Sequence, residues 1–216
     1  MNTGYVIASY FIATILITLI YRWYKVRQRV AYIDSYVFHK GLILKFKKIR
    51  PELNSGQVET VVLALKDYFK IHQRAKNEFI SMPSQVVDDL WHEFILFTKQ
   101  YQRFCKESLG KYLHHVPSEA MTHQTMASEG IKNAWRYACA LENIDPTNPT
   151  RLPRLFALDA LYKISNGFHY TKDCKNNGGD AYCASHIGCS GHSDCSGASD
   201  SGSSCNSSCS SGCGGD

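Results

Sequence analysis

Pro83-Ser84-Gln85-Val86-Val87-Asp88-Asp89-Leu90-Trp91-His92-Glu93-Phe94-Ile95 sets its apolar residues at 86, 87, 90, 91, 94 and 95, the spacing of one face of a helix. Pro83-Ser84 opens that helix, and Phe97, Tyr101 and Phe104 carry the stripe onward. The pattern predicts a single helix from Ser84 to near Gly110.

The same period recurs on both sides of this stretch. Upstream, a capping residue in Asn54-Ser55-Gly56-Gln57 leads into Val58, Val61, Val62, Leu65, Tyr68, Phe69 and His72, which predicts a helix over 55–74. Downstream, Ser118 in Pro117-Ser118-Glu119 can cap a helix running through Ile131, Trp135, Ala138, Cys139 and Leu141, until Asp145-Pro146 stops it. Pro149 to Tyr162 makes a shorter helix with Leu152, Leu155, Phe156, Leu158 and Leu161 inward. Val37, Leu42, Ile43, Leu44 and Phe46 suit either a strand or a helix broken at Gly41. With no run of strand-like segments, residues 31–171 read as an all-α domain.

Ahead of this domain, residues 1–30 read as a transmembrane anchor with a basic flank. No charged side chain occurs from Met1 to Tyr21, and Thr3 to Tyr24 is long enough for a helix to cross a hydrocarbon core of about 30 Å. Arg22, Lys25, Arg27 and Arg29 follow the run, and no charged side chain precedes it. The positive-inside rule then puts the N-terminus outside and the bulk of the chain in the cytoplasm. The lipid bilayer is the expected partner of residues 3–24, and Tyr21, Trp23 and Tyr24 fall where an interfacial aromatic belt would lie.

The 216-residue chain carries a net charge of +5, of which +4 belongs to residues 31–171. So mild a balance argues against a nucleic-acid partner. The one basic run, Lys45-Phe46-Lys47-Lys48-Ile49-Arg50, reads as a solvated surface near the anchor. Phosphate loops, serine elbows and paired-carboxylate signatures are absent from the sequence, so nucleotide chemistry and serine hydrolysis lack support. Cys105 and Cys139 fall at apolar helical positions and read as buried thiols.

Composition changes at Lys172. Residues 172–216 hold seven of the nine cysteines and nine of the fifteen glycines, among Ser, Asn and Asp. Nothing there can build an apolar core, so the reading is a disordered, low-complexity tail. Cys183, His186, Cys189, His192 and Cys195 recur at every third residue, a spacing that lets thiolates and imidazoles converge on zinc or another soft ion.

Inside the domain, chemistry concentrates in Asp88-Asp89-Leu90-Trp91-His92-Glu93 and in Leu113-His114-His115. Asp88 lies four residues and Asp89 three residues before His92, so either carboxylate can share a helix face with the imidazole. A zincin pattern fails, because Phe94-Ile95-Leu96 follows His92-Glu93. Two roles stay open for Asp88, His92 and one of His114 or His115. They bind a divalent metal or act as an acid–base pair, or they form a structural hydrogen-bond network that fixes how two helices meet.

The run Met82-Pro83 through Phe94, followed by Tyr101, Phe104, Gly110 and His114-His115-Val116-Pro117, resembles the glycine-rich domain-containing proteins of bacteria and plants, over roughly Pro51 to Asp145. The resemblance implies that Asp88, Trp91, His92 and His115 cluster in space, and it fits the glycine-rich tail. Plant members often carry a second His after Trp-His, where this chain has Glu93. No well-established activity comes with the family. The sequence therefore points to a membrane-tethered, non-catalytic module that meets a protein partner or handles a metal, zinc or another divalent ion. The alternative is a metal-dependent, hydrolase-like enzyme using Asp88, His92 and His115.

Overall fold

A computed structural model describes residues 3–115, 124–172 and 182–183. Among the described residues, seven helices run in the order α1 (Thr3–Ser35), α2 (Lys40–Ile49), α3 (Ser55–Ala75), α4 (Gln85–Leu96), α5 (Thr98–Ser108), α6 (Gln124–Glu142) and α7 (Arg154–Leu161). Two short strands follow, β1 (Tyr170–Thr171) and β2 (Tyr182–Cys183), paired in parallel.

Helix α3 is the central element, with α1, α4, α6 and α7 packed against it. Its start is fixed by a reciprocal cap, in which the Gln57 amide donates to the Asn54 side chain at 2.9 Å and the Asn54 amide donates to the Gln57 side chain at 2.8 Å. The predicted apolar stripe is the buried one: Val58, Val61, Leu65, Tyr68 and Phe69 are all within the core. Phe69, Phe94 and Phe104 meet at centroid separations of 4.7 to 6.3 Å, and Tyr36 and Phe38 close the cluster from the α1–α2 side.

The single helix expected from Ser84 to Gly110 is two helices, broken at Phe97. Along one helix Trp91 and Tyr101 would stand about 15 Å apart. The break folds α5 back, so that Trp91 Nε1 donates to the Tyr101 hydroxyl at 3.1 Å and Phe94 meets both Tyr101 and Phe104. Burying three aromatic residues in one core outweighs the lost helical turn.

The ambiguous stretch around Gly41 is helix α2, with Leu42 and Phe46 buried and the His39 ring accepting from the Gly41 amide at 3.0 Å. Its basic run is not one solvated face. Arg50 is buried, donating to Asp89 at 2.6 Å and to Asn166 at 2.8 Å, while Lys47 donates to Ser55 at 3.1 Å.

The start of α4 is held from across the fold. Asp159 on α7 is 1% exposed, and its carboxylate accepts from Ser84 Oγ at 2.8 Å and from the amides of Gln85, Val86 and Phe168 at 2.7, 3.2 and 2.9 Å. Negative charge at a helix N-terminus is favourable, and here it answers orphan amides. Gly167 approaches so closely that an added Cβ would sit 2.6 Å from Asp159 Cβ.

The expected membrane crossing requires correction. Among the described residues, no helix is long and apolar enough to cross a membrane. Ser9 interrupts the apolar part of α1. Tyr10, Thr14 and Thr18 also dilute the run, although the two threonine hydroxyls donate to Phe11 and Ile15 carbonyls at 2.8 and 2.7 Å. The segment is helical all the same, continuous with a C-terminal half that buries Ile33 and packs on α3 and α5.

Two residues of the expected low-complexity tail join the fold, since β2 pairs Tyr182 with Tyr170 and Cys183 with Thr171. The expected helix start at Ser118 lies outside the described residues, where α6 is described only from Gln124.

Candidate functional site

One turn of α4 separates Asp88 from His92, which brings His92 Nδ1 to 3.4 Å from Asp88 Oδ2. The third residue is His115, whose Nε2 lies 3.1 Å from Asp88 Oδ1. The two imidazole rings stand 4.2 Å apart. One ligating atom from each of Asp88, His92 and His115 falls within 4.8 Å of the others.

The alternatives left open by spacing are resolved by packing. Asp89 turns away from His92, because Arg50 and the Gln85 side chain hold its carboxylate at 2.6 and 3.0 Å. His114 also leaves the cluster: it is exposed and rests against the Tyr112 ring at 4.7 Å. Glu93 faces Lys45, 4.0 Å away.

His115 comes from the segment after α5, and two contacts set its position. Tyr101 donates its hydroxyl to the Leu113 carbonyl at 2.7 Å, and the Trp91 ring meets the His115 ring at 4.7 Å. Trp91 in turn donates to the Tyr101 oxygen, so a chain of hydrogen bonds runs from α4 through α5 to the backbone two residues before His115. Burial holds the Tyr101 phenol far above its ordinary range, so it remains a donor.

The Asp88 carboxyl is largely removed from water. Burial pushes its pKa up, and the neighbouring imidazoles His92 and His115 act in the opposite sense. A metal ion would supply the positive charge that this desolvated carboxylate lacks. Ligands around a tetrahedral ion with bonds near 2.0 to 2.1 Å stand about 3.4 Å apart. The Asp88 to His92 and Asp88 to His115 separations of 3.4 and 3.1 Å end on different carboxylate oxygens, and one atom from each of the three residues falls within 4.8 Å of the others.

Behind the cluster is His72, whose ring meets Tyr68 at 4.5 Å and whose Nε2 is sealed from solvent without a partner. Burial, with the Lys111 charge adding to it, lowers the His72 pKa to about 3. Sequence reading placed His72 on the core stripe but carried no sign that its nitrogen would be stranded. Asp159 was missed as well, since a single carboxylate in an apolar helix identifies no partner until α7 packs beside α4.

Of the residues expected as tail ligands, Cys183 is described through its backbone pairing alone. His186, Cys189, His192 and Cys195 lie outside the described residues. Cys105 and Cys139 are buried free thiols, with burial raising both above the usual thiol range, Cys139 to about 12.

No curated protein and no solved structure matches the chain. The resemblance to glycine-rich domain-containing proteins is overturned by the family comparison, which matches a different and uncharacterised family. Short motifs misled here, because Trp-His on a helix and a glycine-rich tail are compatible with more than one family. The matching model covers residues 28–187, from the flank of α1 past β2, and the chain belongs to the UCP032817-like family.

Proposed function

We propose that this chain is a metal-handling module in which Asp88, His92 and His115 hold one divalent transition-metal ion, and that the apolar half of α1 tethers it to lipid. The observation that carries the metal reading is the convergence of three ligating atoms from two separate segments within 4.8 Å. Two imidazoles and a carboxylate suit zinc or ferrous iron and leave coordination positions open on the solvent side, where the His92 side chain is 49% exposed.

Supporting the tether are the uncharged run from Met1 to Tyr21 and the exposure of Ile7, Phe11, Ile15, Leu16 and Ile20 along α1. The basic flank at Arg22, Lys25, Arg27 and Arg29 suits anionic headgroups beside such a tether.

The non-catalytic reading asks only that the three residues hold an ion, whereas hydrolysis would also need a substrate cleft beside it.

The test is titration of the full chain with cobalt(II) and zinc(II), beside His92→Ala and a chain ending at Lys172. One ion bound by the shortened chain, with nitrogen and oxygen ligand bands in the cobalt spectrum, and lost in His92→Ala without loss of helicity, is the expected result. If the shortened chain binds no ion and His92→Ala only lowers the melting temperature, the cluster is a structural network alone.

A further inference from the structure

We infer that the end of the domain nearest the apolar half of α1 is a basic collar that docks on the anionic phospholipid headgroups of one bilayer leaflet. This rests on the lipid reading of α1 and goes beyond it, because most of the collar comes from elsewhere in the fold.

The C-terminal ends of α3 and α5 meet there against the middle of α1. Arg29 on α1 lies against Gly110 just after α5, while Tyr32 near the end of α1 and Tyr36 just after it meet Phe104 in the middle of α5. Helix α5 is therefore antiparallel to α1, and its C-terminus points back toward the apolar segment. Helix α3 runs the same way, with Lys66 and Lys70 at Asp34 near the far end of α1 and Lys76 beyond its own C-terminus. Lys111 joins the two ends by donating to the Lys76 carbonyl at 2.5 Å.

The result is a set of cations that sequence order scatters. Lys76, Lys106 and Lys111 are exposed at this end, beside Arg29 and the flank that begins at Arg22. Facing them, Glu107 lies in the last turn of α5, and Glu78 is engaged by Arg136 and Tyr137. Lys25 and Arg27 lie over the Tyr21 and Trp23 rings at 5.7 and 4.7 Å, a pairing of aromatic body and cationic tip suited to the headgroup region. Apolar side chains on α1, and cations on α1 and on the converging ends of α3 and α5, complement lipid tails and anionic headgroups in that order.

The experiment floats the full chain with limiting vesicles of phosphatidylcholine, or of equal parts phosphatidylcholine and phosphatidylserine. The comparison variant is Lys76→Glu/Lys106→Glu/Lys111→Glu, with the corresponding Lys→Arg triple as control. Wild type and the Arg triple should prefer the anionic vesicles by about ten-fold or more, with the preference lost in high salt. The Glu triple should float with neutral vesicles like wild type and show no preference. Equal flotation of wild type with both vesicle types overturns the collar and leaves the tether standing. A wild-type chain that floats with neither, and elutes as a dimer through α1, overturns both.

Discussion

The Tyr101 hydroxyl donates to the Leu113 carbonyl at 2.7 Å while accepting from Trp91 Nε1 at 3.1 Å, which latches the segment carrying His115 onto α4. Two of the three candidate ligands ride on one rigid helix. The third reaches them through this latch.

Tyr101→Phe removes the latch and keeps the ring in the core. It leaves Trp91 Nε1 and the Leu113 carbonyl unpaired, a cost of about 1 to 3 kcal/mol in urea unfolding. The expected signature of positioning is a further loss of about 10- to 100-fold in cobalt or zinc affinity with the helix content unchanged, read by calorimetric titration. Unchanged affinity in a destabilised variant would confine Tyr101 to a packing role.

Asp159→Ala strips the α4 N-terminus of its carboxylate and strands the amides of Gln85, Val86 and Phe168. The expected destabilisation is at least about 3 kcal/mol, more than an ordinary capping loss, because the site is sealed from water. Asp159→Asn should recover part of it. Denaturant melts of the two variants beside wild type check the order.

Acid should destabilise the fold through His72. Its folded pKa of about 3 lies below its ordinary value of 6.5, so between those limits the unfolded chain takes a proton that the folded chain refuses. Stability from this group therefore falls as pH drops below 6.5, by about 2 kcal/mol at pH 5. Asp88 slopes the other way, since its raised pKa favours the protonated carboxyl in the folded state. Comparing wild type with His72→Phe at pH 7 and pH 5 isolates the histidine: the variant should lose less stability on acidification.

Gly110→Ala should destabilise by about 1 to 2 kcal/mol, since Gly110 has φ +76°. An added Cβ would also fall 2.1 Å from an Arg29 guanidinium nitrogen. Arg29 would be displaced from the end of α5. Thermal melting of Gly110→Ala beside Arg29→Ala and the double variant should show non-additive losses, because both substitutions break one contact.

Periodicity made α3, the first half of the Ser84–Gly110 stretch, the later part of α6, and α7 legible, because an amphipathic helix writes its buried face into residues three and four apart. It could not find the break at Phe97. The apolar stripe runs through that residue unbroken, and only the core formed by Trp91, Phe94, Tyr101 and Phe104 rewards folding back.

Residue spacing alone is enough to make this a helical chain, to put an apolar uncharged segment at its head, and to set Asp88 and His92 on one helix face, since each follows from positions within a few residues. Tertiary structure decided which carboxylate is free and which histidine arrives, because Arg50 must reach Asp89 and Tyr101 must catch Leu113 before Asp88 and His115 can meet. Local backbone geometry sets neighbours along a helix. Neighbours across the fold depend on how distant segments close on one another, and no spacing along the chain encodes that.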